Sequence, residues 1–209
     1  MGKFVIAALL LITGAMTAVA QEEKNELAGT IGRSIIGDQV TPDTSIPFHT
    51  VHFGHGTSFN VNYSRHLRKY FWGELSAEVP VIVNFDEDLN YGSNQIPKEY
   101  SSYFITPAAR VNFIPDLAVS PWLSFGGGFG IFHASDKLLY FNSNTGDRTK
   151  VTGVIQGGIG LDVRLPRVHS LLFRFEARDD WSGVPPLNID TGRTRQHNYY
   201  VGAGAVFRF

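Results

Sequence analysis

Three histidines, His49, His52 and His55, recur every three residues and are the first candidates for metal chemistry. On a helix this spacing can bring imidazoles to one face, where they could bind a metal ion. Gly54 and Gly56 disfavour a helix here. On a strand the same spacing places His52 on the face opposite the other two. The pattern therefore favours loop or interfacial histidines, and no metal or other cofactor is predicted.

A second candidate is the pair His133 and Ser135, which share one face if this segment is a strand. Acyl transfer requires such a nucleophile beside a base. A histidine beside a loop serine is also common by chance, so an enzyme ranks low among the alternatives. The glycine clusters at 126–128 and 157–158 lack the order of a phosphate-binding loop. The acidic run 86–88 could hold a divalent ion, but such runs are usually solvated loops.

Composition excludes several other classes of protein. The chain has no cysteine, which excludes a disulfide scaffold, a thiolate metal site and a catalytic cysteine. Its net charge of −1 shows none of the basic excess of a nucleic-acid-binding protein. Only 18% of the residues are charged, against about 25% in soluble domains, while 13% are aromatic and 22 are glycines. These values suit a β-sheet protein with few water-exposed faces.

The first twenty residues have the pattern of a cleaved secretory signal peptide. Lys3 precedes the uncharged segment 4–18, and small residues lead to a cleavage site after Ala20. The alternative is a membrane anchor, but about 15 apolar residues are fewer than the ~20 that a spanning helix needs. The sequence thus predicts a signal peptide at 1–20 and one β-barrel domain at 21–209.

Eight segments in the rest of the chain alternate apolar and polar residues with the period of a strand. Each is long enough for the ~9–11 residues with which a tilted strand crosses a bilayer. The fold predicted is therefore all-β, an eight-stranded antiparallel up-and-down transmembrane barrel. The segments are Glu26–Ile36, Val51–Ser64, Tyr70–Val83, Tyr103–Phe113, Trp122–His133, Lys150–Leu165, Ser170–Trp181 and Asn198–Phe209.

Long and short connections alternate between these segments, as in bacterial outer-membrane barrels with short periplasmic turns and long outer loops. A soluble eight-stranded barrel has no reason to keep this order. The long connections are Gly37–Thr50, Asn84–Ser102, Ala134–Thr149 and Ser182–His197, and the short ones are Arg65–Lys69, Ile114–Pro121 and Pro166–His169.

The polar face of the strands carries four acids and four bases, and this balance indicates which face is inside. Buried charges persist only when they are paired, so a neutral sum suits a closed, ion-paired lumen. The predicted cluster consists of Glu74, Glu78, Arg110, Asp162, Arg164, Arg174, Glu176 and Arg178. Inward glycines are expected to leave room for the arginines and Trp72. Pro80 and Pro107 predict a β-bulge near the outer rim.

The chain ends in Gly204-Ala-Val-Phe207-Arg-Phe209. This ending resembles the C-terminal signal that the barrel assembly machinery of diderm bacteria recognises. With the eight segments, the chain resembles the small outer-membrane β-barrel proteins of the OmpA-like and OmpX kind. The resemblance implies location in the outer membrane, periplasmic chaperones and the assembly machinery as partners in biogenesis, and contact with outer-membrane lipid and lipopolysaccharide. It implies no catalytic residues.

The function expected from these features is structural or surface interaction by a monomer through four outer loops, because eight strands close too tightly for a water channel. Transport of a small or apolar solute ranks second. An enzyme ranks third: lipid A deacylases use similar barrels, but their His-x-Ser-Asn element has no counterpart in segment 173–180.

Overall fold

The computed structural model describes residues 24–42, 49–166 and 168–209, except for the side chains of Asp86 and His169. The predicted signal peptide lies outside these ranges. Within them, no helix is long and apolar enough to cross a membrane. The strands are β1 (Asn25–Ile36), β2 (Gln39–Val40), β3 (Thr50–Phe53), β4 (Thr57–Tyr70), β5 (Gly73–Asn90), β6 (Glu99–Ile105), β7 (Ala108–Phe113), β8 (Val119–Ala134), β9 (Thr149–Leu165), β10 (Val168–Gly183) and β11 (Arg195–Arg208).

These eleven strands form one closed antiparallel barrel of eight staves, where a stave is one strand position around the barrel. Three staves are each made of two successive strands: β1 and β2, β3 and β4, and β6 and β7. The pairing of β1 with β4 continues in register into that of β2 with β3. The pairing of β5 with β4 likewise continues into that with β3, and β6 and β7 occupy one stave between β5 and β8. β1 then pairs with β11 and closes the barrel. The prediction of an all-β, eight-stranded antiparallel barrel is confirmed.

The strands are strongly tilted, as their register shows. A path of directly paired residues that leaves β1 at Asn25 passes once around the barrel and returns to β1 at Ile35, ten residues further along. Closing a sheet with such a stagger requires the strands to tilt by about 35–45°. The interior of an eight-stranded barrel of this kind is just wide enough to be filled by side chains.

The connection between β4 and β5 differs from the prediction. The predicted turn Arg65–Lys69 belongs to β4, and only Phe71 and Trp72 separate the two strands. A bulge between His66 and Arg68 breaks the alternation there, which is why the strand is not recognisable in the sequence. The prediction that Trp72 fills the lumen was wrong, since it lies in this turn and is 46% exposed.

The two prolines do not produce the predicted bulge. The register runs unbroken from Glu78 opposite Ala108 to Val81 opposite Ile105. Proline has no backbone N–H group to donate, and the stave is instead interrupted between β6 and β7. A bulge lies nearer the outer rim, between Asn84 and Glu87. It turns Glu87 inward, where the side chain is buried and accepts a hydrogen bond from Gly56 N at 3.2 Å, so the acidic run 86–88 is strand rather than loop.

The outer face of the barrel is apolar, and many of the residues that face inward are polar. On β11, the outward residues Tyr199, Val201 and Phe207 are 41–51% exposed, whereas the inward Asn198 and Tyr200 are buried. A soluble barrel buries its apolar face, whereas a membrane barrel turns that face to lipid. The burial pattern therefore has the polarity of a barrel that spans a membrane.

Candidate functional site

The periplasmic half of the interior is filled by a charged layer of four carboxylates and four guanidinium groups. All eight residues are at most 8% exposed. Equal numbers of opposite charges let the layer be neutral inside a low-dielectric barrel, where an unpaired charge would be very costly. The charged layer consists of Glu26, Glu78, Asp162, Glu176, Arg110, Arg174, Arg178 and Arg208.

Arg174 joins two carboxylates of this layer, one on β9 and one on β1. Its Nε donates to Asp162 Oδ1 and its Nη2 to Asp162 Oδ2, both at 2.8 Å, which makes the pair bidentate. Nη2 also donates to Glu26 Oε1 at 2.6 Å. Glu26 in turn lies 2.7 Å from Arg110 Nη1 and 3.3 Å from Arg208 Nε. Charge-assisted bidentate pairs are the strong and geometrically specific ones.

Arg178 makes the corresponding link higher in the layer. Its Nε donates to Glu176 Oε2 at 2.9 Å, and its Nη1 donates to Glu78 Oε1 at 2.8 Å. The second oxygen of each carboxylate accepts a neutral donor: Glu176 Oε1 from Thr30 and Asn60, and Glu78 Oε2 from Asn62. The acids and bases are thus connected into one network across the barrel.

Trp122 lies at the centre of the charged layer. It is 1% exposed, and its Nε1 donates to Asp162 Oδ1 at 3.2 Å. The guanidinium carbons of Arg110, Arg174 and Arg178 lie 5.8, 5.2 and 5.1 Å from its ring centroid. Cations at this distance are attracted by the π system. One indole therefore contacts three of the four arginines.

Glycines on β9 provide the space for these large groups. A Cβ atom at Gly160 would collide with the Trp122 ring, and one at Gly158 would lie 2.6 Å from Ser124 Oγ. By contrast, a Cβ at the outward Gly153 would meet nothing within 4 Å. The expected role of inward glycines therefore describes Gly158 and Gly160, with Trp122 rather than Trp72 as the large neighbour.

The structure brings six of the eight sequence-predicted lumen residues together in the charged layer: Glu78, Arg110, Asp162, Arg174, Glu176 and Arg178. Glu74 lies nearer the periplasmic rim, 3.0 Å from His66 Nδ1. Arg164 also lies toward that rim, where its Nη2 donates to Pro115 O at 2.9 Å. Glu26 and Arg208 were missed, although their inward register on β1 and β11 is visible in the alternation.

The outer half of the interior contains a large apolar cluster beside buried polar groups such as Glu87. The alternation of residue types does not predict this cluster. Inward side chains of the strands pack there against residues of the outer connections. Phe104 and Phe132 are fully buried in an edge-to-face pair, and Tyr100 packs on Phe132. We call this set the apolar layer: Ile36, Val51, Phe53, Ile82, Leu89, Tyr91, Ile96, Tyr100, Phe104, Phe132, Ala134, Val154, Leu187 and Tyr200.

The other candidate residues are engaged elsewhere. His133 Nδ1 lies 3.0 Å from Thr149 Oγ1, and Ser135 Oγ accepts a hydrogen bond from Lys137 N. His52 pairs with Asp38 at 2.7 Å. Among the residues that the structure describes, no group of three or more His, Asp or Glu is arranged to hold a metal ion.

At the periplasmic end, the last residues of β4 contact the turn between β7 and β8. Lys69 Nζ donates to Asp116 Oδ1 at 2.7 Å, and this hydrogen bond lowers the pKa of Asp116 from its ordinary value. Both side chains are exposed, so the pair contributes little to stability.

The three residues predicted as an assembly signal lie on or beside β11. Phe207 faces outward and its ring stacks with that of Phe209 at 5.9 Å. Phe209 also exchanges two backbone hydrogen bonds with Asn25, both of 2.9 Å. Gly204 lies where a side chain would collide with the backbone of Gly29 and Thr30. These contacts join the first and last strands of the barrel, β1 and β11. Recognition by the assembly machinery is a proposal.

No family model matches the sequence, and no curated protein matches it either. Solved structures do match. Neisserial surface protein A (NspA) is 10% identical with a TM-score of 0.54, covering 90% of this chain and 98% of its own. The outer-membrane protein OprG from Pseudomonas aeruginosa is 9% identical with a TM-score of 0.55, covering 89% and 95%. At these identities the likeness concerns the fold.

An apolar outer face, a charged interior and complete closure define an integral membrane β-barrel protein. With eight strands and short turns at one end, the chain has the fold of the small outer-membrane barrels NspA and OprG.

Proposed function

We propose that the protein is a sealed outer-membrane barrel that acts as a structural and surface-interaction protein through its outer loops. The stacking of two filled layers supports a sealed interior. A solute would have to disrupt the apolar layer first and the charged layer next, and these layers favour opposite kinds of solute. This argues against steady transport, the second of the functions considered.

The outer loops are braced in a way that suits a binding surface. Asn94 Oδ1 accepts hydrogen bonds from the backbone N–H groups of Tyr140 and Phe141, and Asn94 Nδ2 donates to Phe141 O. The Tyr140 hydroxyl donates to Tyr91 O at 2.7 Å. Leu187 anchors another loop in the apolar layer. Loops held in this way lose little conformational entropy when they bind a partner.

The braced loop presents two aromatic side chains to the medium. Tyr140 is 60% exposed and Phe141 is 65% exposed. Exposed aromatic residues on rigid backbone are typical anchors of binding interfaces. This exposure, on a loop beyond the ends of β8 and β9, is the observation that carries the surface-interaction role.

Planar bilayers containing the purified protein should show no steady conductance, because both layers block the lumen. Single-channel recording at several voltages measures this directly. The recordings use folded protein. Folding is verified by the altered mobility of unboiled samples in detergent gels. A stable ohmic pore would refute the sealed interior and favour transport.

Changing Tyr140 and Phe141 together to serine should lower retention of cells that display the protein at least about tenfold, because the anchor surface is lost. Retention is measured on arrays of immobilised proteins and glycans, against cells without the gene. The matched control is Phe71→Ser, which removes a fully exposed aromatic from a turn at the opposite end of the barrel. Equal loss in both variants, or no retention of wild-type cells on any spot, would contradict the role.

A further inference from the structure

His66 lies at the periplasmic end of the barrel interior, between two neighbouring strands. It belongs to β4 and is directly opposite Ser76 of β5. On the other side, the ladder with β1 ends at Arg65, and the backbone N of His66 donates to Lys24 O at 2.8 Å. His66 therefore lies beyond Ser64, where the membrane-spanning segment predicted from the sequence ends. Its side chain is nevertheless only 7% exposed.

The imidazole of His66 contacts carboxylates on both neighbouring strands. Its Nδ1 lies 3.0 Å from Glu74 Oε1 of β5 and 3.1 Å from the Ser76 hydroxyl. Its Nε2 lies 3.6 Å from Glu26 Oε2 of β1. Since β4 lies between β5 and β1 in the sheet, this one side chain links three adjacent strands. We call Glu26, His66 and Glu74 the clasp.

The geometry of the clasp is complementary to a charged histidine. A neutral imidazole carries one N–H, so either tautomer turns the lone pair of the other nitrogen toward a carboxylate. The Ser76 hydroxyl can donate to Nδ1 in one of these tautomers, but Glu74 then loses its donor. The imidazolium carries an N–H on both nitrogens, so each acid faces a donor. Its positive charge is also favoured by the two nearby carboxylates.

Glu74 depends on this charge more than Glu26 does. Glu26 already pairs with three arginines of the charged layer, at distances of 2.6 to 3.3 Å. In the described part of the chain, Glu74 makes its ion pair with His66 alone. The charged layer is balanced in itself, so Glu74 adds one negative charge at the periplasmic end. A charged His66 restores the balance.

We propose that the clasp is a pH-sensitive device: charged His66 fastens the periplasmic end of the β4–β5 hairpin to β1, and neutral His66 releases it. Because Glu26 belongs both to the clasp and to the charged layer, the fastened hairpin end is connected to the ion pairs of the interior. The proposal goes beyond the sealed interior and the surface-interaction role, since it concerns the periplasmic end of the barrel.

The pKa of His66 gives the direction of the pH effect. Burial works against the charged form, but Glu26 and Glu74 outweigh burial and raise the pKa of His66 above its ordinary value of 6.5. The folded barrel then binds this proton more tightly than the unfolded chain does. The stabilising effect is therefore complete below pH 6.5 and is lost as the pH rises through the higher pKa of the folded barrel.

The other charged groups around the clasp are arginines, whose side chains stay charged in proteins. The pH effect is therefore assigned to the histidine. These groups are Arg110 of β7, which lies opposite Ser76, and Arg174 of β10 and Arg208 of β11, which both pair with Glu26.

The test compares the pH dependence of stability in wild type and His66→Gln, by urea unfolding in lipid vesicles between about pH 5 and pH 9. Other groups also titrate, so the quantity compared is the difference between the two slopes. The wild-type urea midpoint should fall more steeply as the pH rises, because glutamine has no proton to lose. The matched control His133→Gln removes an exposed histidine of β8 at the outer end and should keep the wild-type slope. Equal slopes in wild type and His66→Gln would overturn the proposal, and so would an equal flattening by His133→Gln.

A local measurement keeps the proposal testable even if His66→Gln does not fold. NMR of the full barrel should show the His66 imidazole titrating above pH 6.5 in wild type and at a lower pH in Glu74→Gln. Amide exchange, corrected for its intrinsic pH dependence, should accelerate at the periplasmic end of the β4–β5 hairpin more than at that of the β9–β10 hairpin. Titration of His66 at or below 6.5, or equal acceleration in both hairpins, would refute the clasp. Neither result touches the sealed interior or the loop surface, because conductance and cell retention report other parts of the barrel.

Discussion

Replacing Arg174 by alanine should lower the free energy of unfolding by about 3–5 kcal/mol, the usual cost of breaking a buried ion pair by removing one partner. The substitution removes the bidentate pair with Asp162 and the link to Glu26. Two carboxylates are then left with less compensation inside the barrel. The measurement is urea unfolding in lipid vesicles, followed by tryptophan fluorescence.

The matched control is Arg65→Ala, which removes an exposed arginine at the periplasmic end and should change stability by less than about 0.5 kcal/mol. Arg174→Lys keeps the charge but loses the bidentate geometry, so it should fall between wild type and Arg174→Ala. If Arg174→Ala and Arg65→Ala have the same midpoint, Arg174 does not hold the charged layer together.

Trp122→Ala should be as damaging, at about 3–5 kcal/mol. The loss combines a cavity at the centre of the charged layer, three cation–π contacts and the hydrogen bond to Asp162. Water entering the cavity would also separate charges that now share a dry environment. Unfolding in vesicles measures the first effect, and proton–deuterium exchange of lumen-facing strands measures the second.

Trp72→Ala is the natural comparison, because it removes the same side chain from an exposed turn. It should cost much less, since the Trp72 ring is half-exposed and stacks mainly on Tyr70 at 5.5 Å. A larger loss for Trp72→Ala than for Trp122→Ala would mean that the indole in the lumen is not the centre of the interior packing.

The alternation of residue types was sufficient to predict the number of strands, the faces of most of them and six members of the charged layer. It was sufficient because one register shift moves every side chain of a strand to the other face, so the pattern strongly constrains the register. Glu78, Arg110 and Arg174 could therefore be assigned to one interior from the order of residues alone. Glu26 follows the same rule on β1, where the faces had not been assigned.

The apolar layer could not be predicted in the same way. Alternation tells which face a residue is on but not how deep it lies, and Phe104 and Phe132 lie inward among residues that were expected to be polar. Their partners Tyr91, Ile96 and Leu187 come from outside the strands, in segments with no periodicity. The bulge between Asn84 and Glu87 likewise changes which residues face inward beyond it, and the pattern of residue types does not reveal this change.

The seam between β1 and β11 also has a consequence for how the barrel forms. These are the first and last strands of the described chain, and eleven residue pairs join them. Pairing over such a sequence separation is entropically slow, so closure is expected to follow the local hairpins. Until then two unpaired strand edges would face lipid, where their amide groups have no partners. The seam is therefore the step at which an open, aggregation-prone sheet becomes a membrane protein, and the place where an assembly factor would help most.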